Sequence, residues 1–232
     1  MPKIAIVAAL EREVAELLKN SRRLEREYYG RKFACFERED EVIVCGGVGV
    51  EAARRAAEAV IALYHPLLVW SVGFAGALES NMRVGDIFVP GSLIDARDGS
   101  RMEFVGGNGT LLTFMSVADA QQKSRLAQSY AAQAVDMEAA GVAAAARSHG
   151  VTFRAIKVIS DEMSFEMPEM THFVDSQGRF RTFHFVAHAA LKPWLWPGIA
   201  RLAHNSKKAA AALQKYLSDQ GEAKNISEAK TV

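Results

Sequence analysis

Short apolar runs alternate with alanine-rich segments along most of this chain, and this alternation constrains the fold more than any other feature of the sequence. The apolar runs contain many β-branched residues, which favours buried strands, whereas the alanine-rich segments have helical spacing. Strands are predicted over 4–9, 31–45 as a hairpin, 67–72, 84–90, 110–116 and 153–159. Helices are predicted over 11–20, 51–64, 118–130 and 136–148. The pattern predicts an α/β fold, a single domain in which a central mixed, mostly parallel sheet is flanked by helices.

The length of 232 residues allows one α/β domain with a substantial core but not two domains of comfortable size. We expect this domain to span 1–178, with a glycine-rich surface loop over 97–109. Aromatic and basic residues then mix, which predicts a helical extension over 179–219 that packs on the same domain. The segment 220–232 has the composition of a disordered tail.

Charge and cysteine content narrow the class of protein. Lys and Arg number 28 against 27 Asp and Glu, so the formal charge of +1 provides no strong field for a nucleic-acid partner. No run of about eighteen uncharged apolar residues exists, which excludes a spanning helix. Cys35 and Cys45 fall in or beside predicted strands, and no secretory leader precedes the first strand. We therefore expect a reduced, cytoplasmic protein.

Two carboxylates surround a thioether at the start of the predicted helix 136–148. Asp136, Met137 and Glu138 occupy this position within the motif 135–141. Acidic residues are also favoured at helix starts by the helix dipole, so the position of Glu138 has an ordinary structural interpretation as well.

A third carboxylate follows the buried strand 153–159, which ends at Ser160 and Asp161. In open α/β sheets ligands bind outside the carboxyl ends of the strands, so Asp161 lies where chemistry usually occurs. The alternative is that Asp161 only caps the next turn. Three carboxylates and a soft apolar surface at one place suit a small polar ligand with a flat ring, such as a ribonucleoside.

Six short motifs in this order resemble the nucleoside phosphorylase superfamily, and especially the methylthioadenosine/S-adenosylhomocysteine nucleosidases. Each motif is weak alone, but their shared order makes the resemblance specific. The motifs occupy 9–14, 46–49, 71–76, 84–87, 135–138 and 159–161.

The resemblance implies cleavage of the N-glycosidic bond between ribose and a purine. It makes Asp161 the general acid that protonates purine N7 and Glu13 the carboxylate that activates water. Glu138 would bind the ribose hydroxyls, Met137 would pack against the sugar, and the backbone near Asp136 would position the base. A free aspartic acid is ionised at neutral pH, so the site must hold the proton by burial, substrate contact or a neighbouring carboxylate.

The same resemblance assigns Ser160, Gly73 and Phe74 to the substrate pocket. It assigns Gly47 and Gly49 to the loop at the nucleophile site, where a helix N-terminus can bind an anion or a polarised water.

Two departures from the family pattern concern the nucleophile. Hydrolytic relatives commonly have Ser at the position of Phe74, and bacterial phosphorolytic relatives have Arg at the position of Ser71. The absence of that Arg favours water as nucleophile. The alternative is that Phe74 closes the nucleophile site, in which case the protein binds nucleosides without catalysis.

A second resemblance, to the hopanoid-associated phosphorylases, covers roughly 110–215. It rests on the short spacing between Asp86 and Glu138, on Asp136 in place of the usual Glu, and on the segment 177–213. This resemblance implies adenosylhopane as an alternative substrate.

Three further patterns have ordinary interpretations. The stretch 47–52 imitates a dinucleotide fingerprint but lacks the ribose-binding acid after the next strand. His184 and His188 have helical spacing but no evident third metal ligand. The segment 192–197 fits either a weak membrane-surface contact or, as we prefer, a packing lid or dimer contact.

The sequence as a whole predicts a purine nucleosidase that releases adenine from a 5′-modified adenosine. We expect a homodimer that uses no metal and no organic cofactor.

Overall fold

The computed structural model describes residues 2–19, 21–166 and 196–229, with side chains up to 220. His184, His188, most of the segment 192–197 and the predicted domain boundary at 178 lie outside the described residues.

The described residues form eleven strands and five α-helices. The strands are β1 (Ile4–Ala8), β2 (Arg22–Tyr28), β3 (Arg31–Arg38), β4 (Glu41–Cys45), β5 (Leu68–Ala77), β6 (Ile87–Phe88), β7 (Ser92–Asp95), β8 (Arg101–Glu103), β9 (Thr110–Thr113), β10 (Ala134–Asp136) and β11 (Thr152–Asp161). The helices are α1 (Ala15–Leu18), α2 (Val50–Tyr64), α3 (Ala120–Tyr130), α4 (Ala139–Ser148) and α5 (Trp196–Ala229), and a 3-10 turn covers Glu11–Glu13.

All these strands belong to one mixed sheet centred on β5. The order β2-β3-β4-β1-β5-β10-β9-β7-β8 forms the main path, and β11 pairs with both β5 and β6. Five of the strand pairs in the described chain are parallel and five are antiparallel. The α/β fold and the mixed sheet are confirmed, but the expectation of a mostly parallel sheet is wrong. Hairpins and short antiparallel partners, which the helix–strand alternation does not report, account for the difference.

The hairpin strand β2 was not predicted because its residues are charged. Its side chains are mostly exposed, as is common for an edge strand. The two-residue connection to β3 uses Tyr29 and Gly30, whose φ angles of 45° and 71° are left-handed. Strand β8 was likewise missed, inside the stretch predicted to be a loop.

Helices α2 and α3 match their predictions closely. Asp119 caps α3 by accepting a hydrogen bond from the backbone N–H of Gln122 at 2.7 Å. The helix predicted over 11–20 is instead broken at Val14, whose φ of −123° is not helical. The helix predicted over 136–148 begins only at Ala139, because β10 occupies the preceding residues.

Helix α5 completes the core on one side of the sheet. Ala209, Leu213 and Leu217 are buried in the same apolar cluster as Ile6 of β1 and Ile156 of β11. The helix continues through 220–229, where the composition indicated disorder. Within the described part of the chain, no helix is long and apolar enough to cross a membrane.

Candidate active site

A cavity of about 170 Å³ lies where β10 and β11 end. Its wall also includes the loop after β1, the segment 116–118 before α3, and Leu202 and Ser206 of α5. Seven of the residues selected from the sequence line it, namely Glu13, Phe74, Asp136, Met137, Glu138, Ser160 and Asp161. The structure therefore brings four separate parts of the chain to one site.

Gly73, Gly47 and Gly49, which were also selected from the sequence, position residues of the cavity wall or the loops beside it. An added Cβ at Gly73 would lie 2.8 Å from Glu13 Oε2, so only glycine permits the carboxyl group to pack against this strand. The N–H of Gly47 donates to the carbonyl of Ala9 at 3.0 Å, which ties its loop to the end of β1. The N–H of Gly49 donates to Glu138 Oε1 at 2.9 Å.

Glu13 is buried at the end of the 3-10 turn. Its Oε2 accepts hydrogen bonds from the backbone N–H groups of Ala9 at 3.2 Å and Leu10 at 3.4 Å. Burial raises the pKa of Glu13 to about 6, against the opposing effect of Lys157. A carboxyl group with this pKa is largely ionised at neutral pH and is suited to accept a proton.

Glu138 stands between the N-termini of two helices. An added Cβ at Gly141 would lie 2.1 Å from the carbonyl oxygen of Val50, so glycine is required for α4 to approach the start of α2 this closely. This approach places Glu138, just before α4, against the N–H of Gly49, just before α2. Burial, followed by the nearby charge of Asp136, raises the pKa of Glu138 to about 8.

Asp161 receives donors on both carboxylate oxygens. The Ser160 hydroxyl donates to Oδ1 at 2.6 Å, and Lys123 Nζ of α3 donates to Oδ2. Lys123 Nζ also donates to the carbonyl of Glu162 at 2.8 Å. An added Cβ at Gly76 would lie 2.9 Å from Asp161 Oδ2 and 3.1 Å from Lys123 Cε, so glycine on β5 leaves room for the pair.

Asp136 belongs to a second buried pair. Lys157 Nζ lies 2.9 Å from Asp136 Oδ2 and donates to Ser71 Oγ at 3.0 Å. Asp136 also accepts from the Thr113 hydroxyl at 2.6 Å and from the N–H of Ala139 at 2.9 Å. Its side chain is 0% exposed, so only its backbone is available to a ligand. Burial lowers the pKa of Lys157, but the negative charges of Asp136 and then Glu138 outweigh burial, so the pKa of Lys157 is raised.

The two lysines are the residues that sequence reasoning missed. Lys157 interrupts the apolar run 153–159, and a charge inside a buried strand is a signal that a partner must exist. Lys123 carries no such signal, because it lies on a polar helix where an exposed lysine is ordinary. In the part of the chain that the structure describes, no group of three or more His, Cys, Asp or Glu residues could hold a metal ion.

A helix-flanked sheet that delivers carboxyl groups from its strand ends into one cavity defines an α/β protein with a small-molecule site. The family model described as phosphorylase superfamily matches residues 3–111 and 104–190. The chain therefore belongs to the phosphorylase superfamily.

Solved structures with the same fold cover nearly the whole chain. The apo form of 5′-methylthioadenosine nucleosidase from Arabidopsis thaliana has a TM-score of 0.71 at 17% identity, covering 94% of this chain and 95% of that one. The Helicobacter pylori 5′-methylthioadenosine/S-adenosylhomocysteine nucleosidase with butyl-thio-DADMe-Immucillin-A has a TM-score of 0.68 at 18% identity, covering 96% and 98%. Futalosine hydrolase of Helicobacter pylori has a TM-score of 0.64 at 18% identity, covering 94% and 98%. No curated protein sequence matches this chain. At these identities the structural likeness establishes the fold.

Proposed function

We propose that this protein is a purine nucleosidase that cleaves the N-glycosidic bond of a 5′-modified adenosine with water and releases adenine. The observation that carries the proposal is the convergence of Glu13, Glu138 and Asp161 on one cavity. Glycosidic cleavage needs a proton donor for the leaving base, a base for the incoming water, and negative charge near the cationic sugar. The cavity supplies one carboxyl group for each of these tasks.

Asp161 is the proposed acid for the leaving base. It lies at the carboxyl end of β11, next to a bulge in the pairing between β11 and β5. The bulge lies between Ile159 and Asp161, so it changes the alternation of side chains just before the acid. In this position Asp161 borders the cavity rather than only the core.

Glu13 is the proposed base for water. With a pKa of about 6 it is mostly ionised at neutral pH and can accept the proton of an attacking water. Hydrolysis is favoured over phosphorolysis because the carboxylates would repel phosphate. The two buried lysines do not offset this repulsion, since Lys123 and Lys157 are each paired with an aspartate.

Glu138 and Met137 are the proposed ribose contacts. Glu138 is anchored by the N–H of Gly49 and still borders the cavity, so its second oxygen can accept hydrogen bonds from sugar hydroxyls. These bonds strengthen as the sugar gains positive charge, which lowers the barrier rather than only tightening binding.

The 5′ group is proposed to be apolar. Phe74, Leu202, Leu10 and Val48 contribute apolar surface to the cavity. This surface favours methylthioadenosine over adenosine, and it also supports the second candidate, adenosylhopane, whose 5′ substituent is far larger. We further infer from the family resemblance a cytoplasmic homodimer, a place in methionine salvage if methylthioadenosine is the substrate, and chemistry without metal or organic cofactor.

Chromatographic measurement of adenine release tests the proposal. The wild-type protein is incubated with adenosine, methylthioadenosine and adenosines with long alkylthio groups at the 5′ position, each with and without phosphate. We expect adenine and free ribose derivative without phosphate, and none from D161N. Ribose 1-phosphate as the product would replace hydrolysis by phosphorolysis and direct attention to Arg12 on the cavity wall. Calorimetric binding of these nucleosides without any release of adenine would establish the silent binding protein instead.

A further inference from the structure

A fully buried cation contacts the proposed acid. Lys123 is 1% exposed, and its ammonium group lies between Asp161 Oδ2 and the carbonyl oxygen of Glu162. The following inference rests on the proposed function and concerns the origin of the proton that the purine receives.

Asp161 is arranged as an acceptor, not as a donor. The Ser160 hydroxyl has a single hydrogen, and its distance to Asp161 Oδ1 is 2.6 Å against 3.4 Å to the carbonyl of Ala75. The hydroxyl therefore donates to Asp161, and Lys123 donates to the other oxygen. A carboxyl group with donors on both oxygens is favoured in its ionised form. An ionised carboxylate has no proton of its own to give to a leaving base.

We propose that Lys123 is a positioning residue that also supplies this proton, so that Lys123 and Asp161 act as one two-residue acid. As the bond between C1′ and N9 breaks, its electron pair moves to the purine. One proton passes from Lys123 Nζ to the ionised Asp161, and Asp161 passes one proton on to purine N7. The purine leaves neutral, Asp161 is again ionised, and Lys123 is a neutral amine. The proton released by the attacking water, accepted by Glu13 and exchanged through solvent, returns the amine to ammonium.

The position of Lys123 fits this task better than a purely structural one. Lys123 lines the cavity together with Asp161, so the pair borders the space in which a purine would bind. The cap by Asp119 fixes the first turn of α3, and Gly76 removes the Cβ that would separate lysine from aspartate. The other charged groups that line the cavity are Arg12, Glu13, Asp136 and Glu138, and Lys157 lies behind Asp136.

Substitution of Lys123 separates proton supply from charge. Lys123→Gln removes both, whereas Lys123→Arg keeps the positive charge but cannot release a proton. Lys215→Gln, an exposed change on α5, is the matched control. Each variant is compared with wild type for kcat and KM from pH 5 to 9, as a ratio at each pH, so that the titrations of Glu13 and Glu138 cancel.

We expect K123Q to lower kcat about 10²-fold at pH 8, with the deficit shrinking as pH falls because solvent then protonates Asp161. We expect K123R to lower kcat by a similar factor at constant KM, and K215Q to match wild type. Full activity of K123R would overturn proton supply by Lys123. A deficit of K123Q that is the same at every pH would reduce Lys123 to a structural residue.

Binding of 9-deazaadenine gives a readout without turnover. Its N7 carries a hydrogen that needs an ionised Asp161 as acceptor, so the pH dependence is opposite to that of catalysis. Calorimetry should show that K123Q binds about tenfold more weakly than wild type at pH 6 and recovers as pH rises, while K123R binds as wild type does. Equal binding by K123Q and wild type at every pH would refute the inference.

Thermal unfolding shows which variants are folded, and K123R carries the test if K123Q does not fold. If wild type releases no adenine from any nucleoside, the proposed function fails, but the 9-deazaadenine titration still decides whether Lys123 controls the charge of Asp161.

Discussion

Two buried lysine–aspartate pairs lie side by side in this protein and differ in what surrounds the aspartate. Both lysines are 1% exposed. Asp136 is enclosed by Lys157, Thr113 and the N–H of Ala139, and its side chain is 0% exposed. Asp161 has a 6% exposed side chain and borders the cavity.

A buried charge pair by itself therefore does not indicate a catalytic group. The pair formed by Lys157 and Asp136 joins β11 to β10 and positions the start of α4, so its protein partners use the hydrogen-bonding capacity of both groups. The pair formed by Lys123 and Asp161 leaves the aspartate at a surface where a ligand can approach. The first pair therefore supports the fold, and the second is the pair that the proposed mechanism uses.

Replacing each aspartate with asparagine should distinguish the two pairs most clearly. D161N is expected to lower kcat by 10²- to 10⁴-fold, because the amide cannot donate as an acid, and to lower the unfolding midpoint as well, because the buried Lys123 loses its counter-charge. D136N is expected to lower the unfolding midpoint, because the buried Lys157 loses its counter-charge. Steady-state kinetics and thermal unfolding measure both effects. Equal losses of kcat in the two variants, measured at a temperature where both are folded, would erase the distinction.

Removing Lys157 should produce the largest change in stability. K157M leaves the Asp136 carboxylate buried without its cation, which costs about 3–5 kcal/mol of unfolding free energy. Denaturant titration of K157M, D136N and the double variant measures this cost. The double variant should be more stable than the sum of the single changes predicts, because no uncompensated charge remains. Additive losses would show that the two residues do not act as a pair.

Replacing Glu13 with glutamine tests its proposed role as the general base that activates water. E13Q should lower kcat/KM about 10²-fold, whereas E11Q, the exposed neighbour, should have little effect. Because the base must be ionised, wild-type activity should fall as pH drops below about 6, the pKa to which burial raises Glu13. Rate measurements at constant ionic strength give this profile. Similar rates for E13Q and wild type would remove Glu13 from water activation.

Exchange of Glu138 tests the ribose contact. E138Q should weaken transition-state binding about tenfold or more at pH 9, above the pKa of about 8, because hydrogen bonds between the ionised Glu138 and the sugar are lost. A 2′-deoxy substrate should lose less than the ribo substrate, since it lacks one of the hydroxyls. The comparison of kcat/KM for the two substrates measures this difference. Equal losses would place Glu138 outside the ribose site.

The last prediction concerns the pH dependence of stability. Burial raises the pKa of Glu138 from its ordinary value of 4.5 to about 8, so the folded protein holds a proton that the unfolded chain has lost. Stability should therefore fall as pH rises from about 4.5 to about 8, by at most about 1.4 kcal/mol per pH unit from this group. E138Q should flatten this slope in denaturant titrations. An identical slope in both proteins would contradict the raised pKa.

Local patterns were sufficient for the helices α2 and α3 and for the core strands β1, β5, β9 and β11, but not for β7 and β10, which are also buried. They were insufficient for β2, whose charged residues satisfy no apolar period, and for β8, which is held by pairing with β7. Strand pairing depends on segments that are distant in the sequence, so local patterns could not predict the proportion of parallel and antiparallel pairs.

The site residues also differ in whether the sequence could predict them. Glu138 and Asp161 were selected because they stand at a predicted helix start and strand end, and family motifs added Glu13. Lys157 was recognisable in principle, as a charge within an apolar strand. Lys123 was not, because only the tertiary packing of α3 against β11 brings it to Asp161.

The contribution of α5 to the core also has a consequence for folding during synthesis on the ribosome. Ile4 and Ile6 of the first strand share their apolar cluster with Leu213 and Leu217 near the other end of the chain. Leu202 and Ser206 of the same helix close part of the cavity wall. Contacts of such large sequence separation form late, so the nascent chain must remain without its finished core until synthesis has passed residue 217. The finished core and cavity wall thus form only after α5 has been synthesised, and the early strands must avoid aggregation until then.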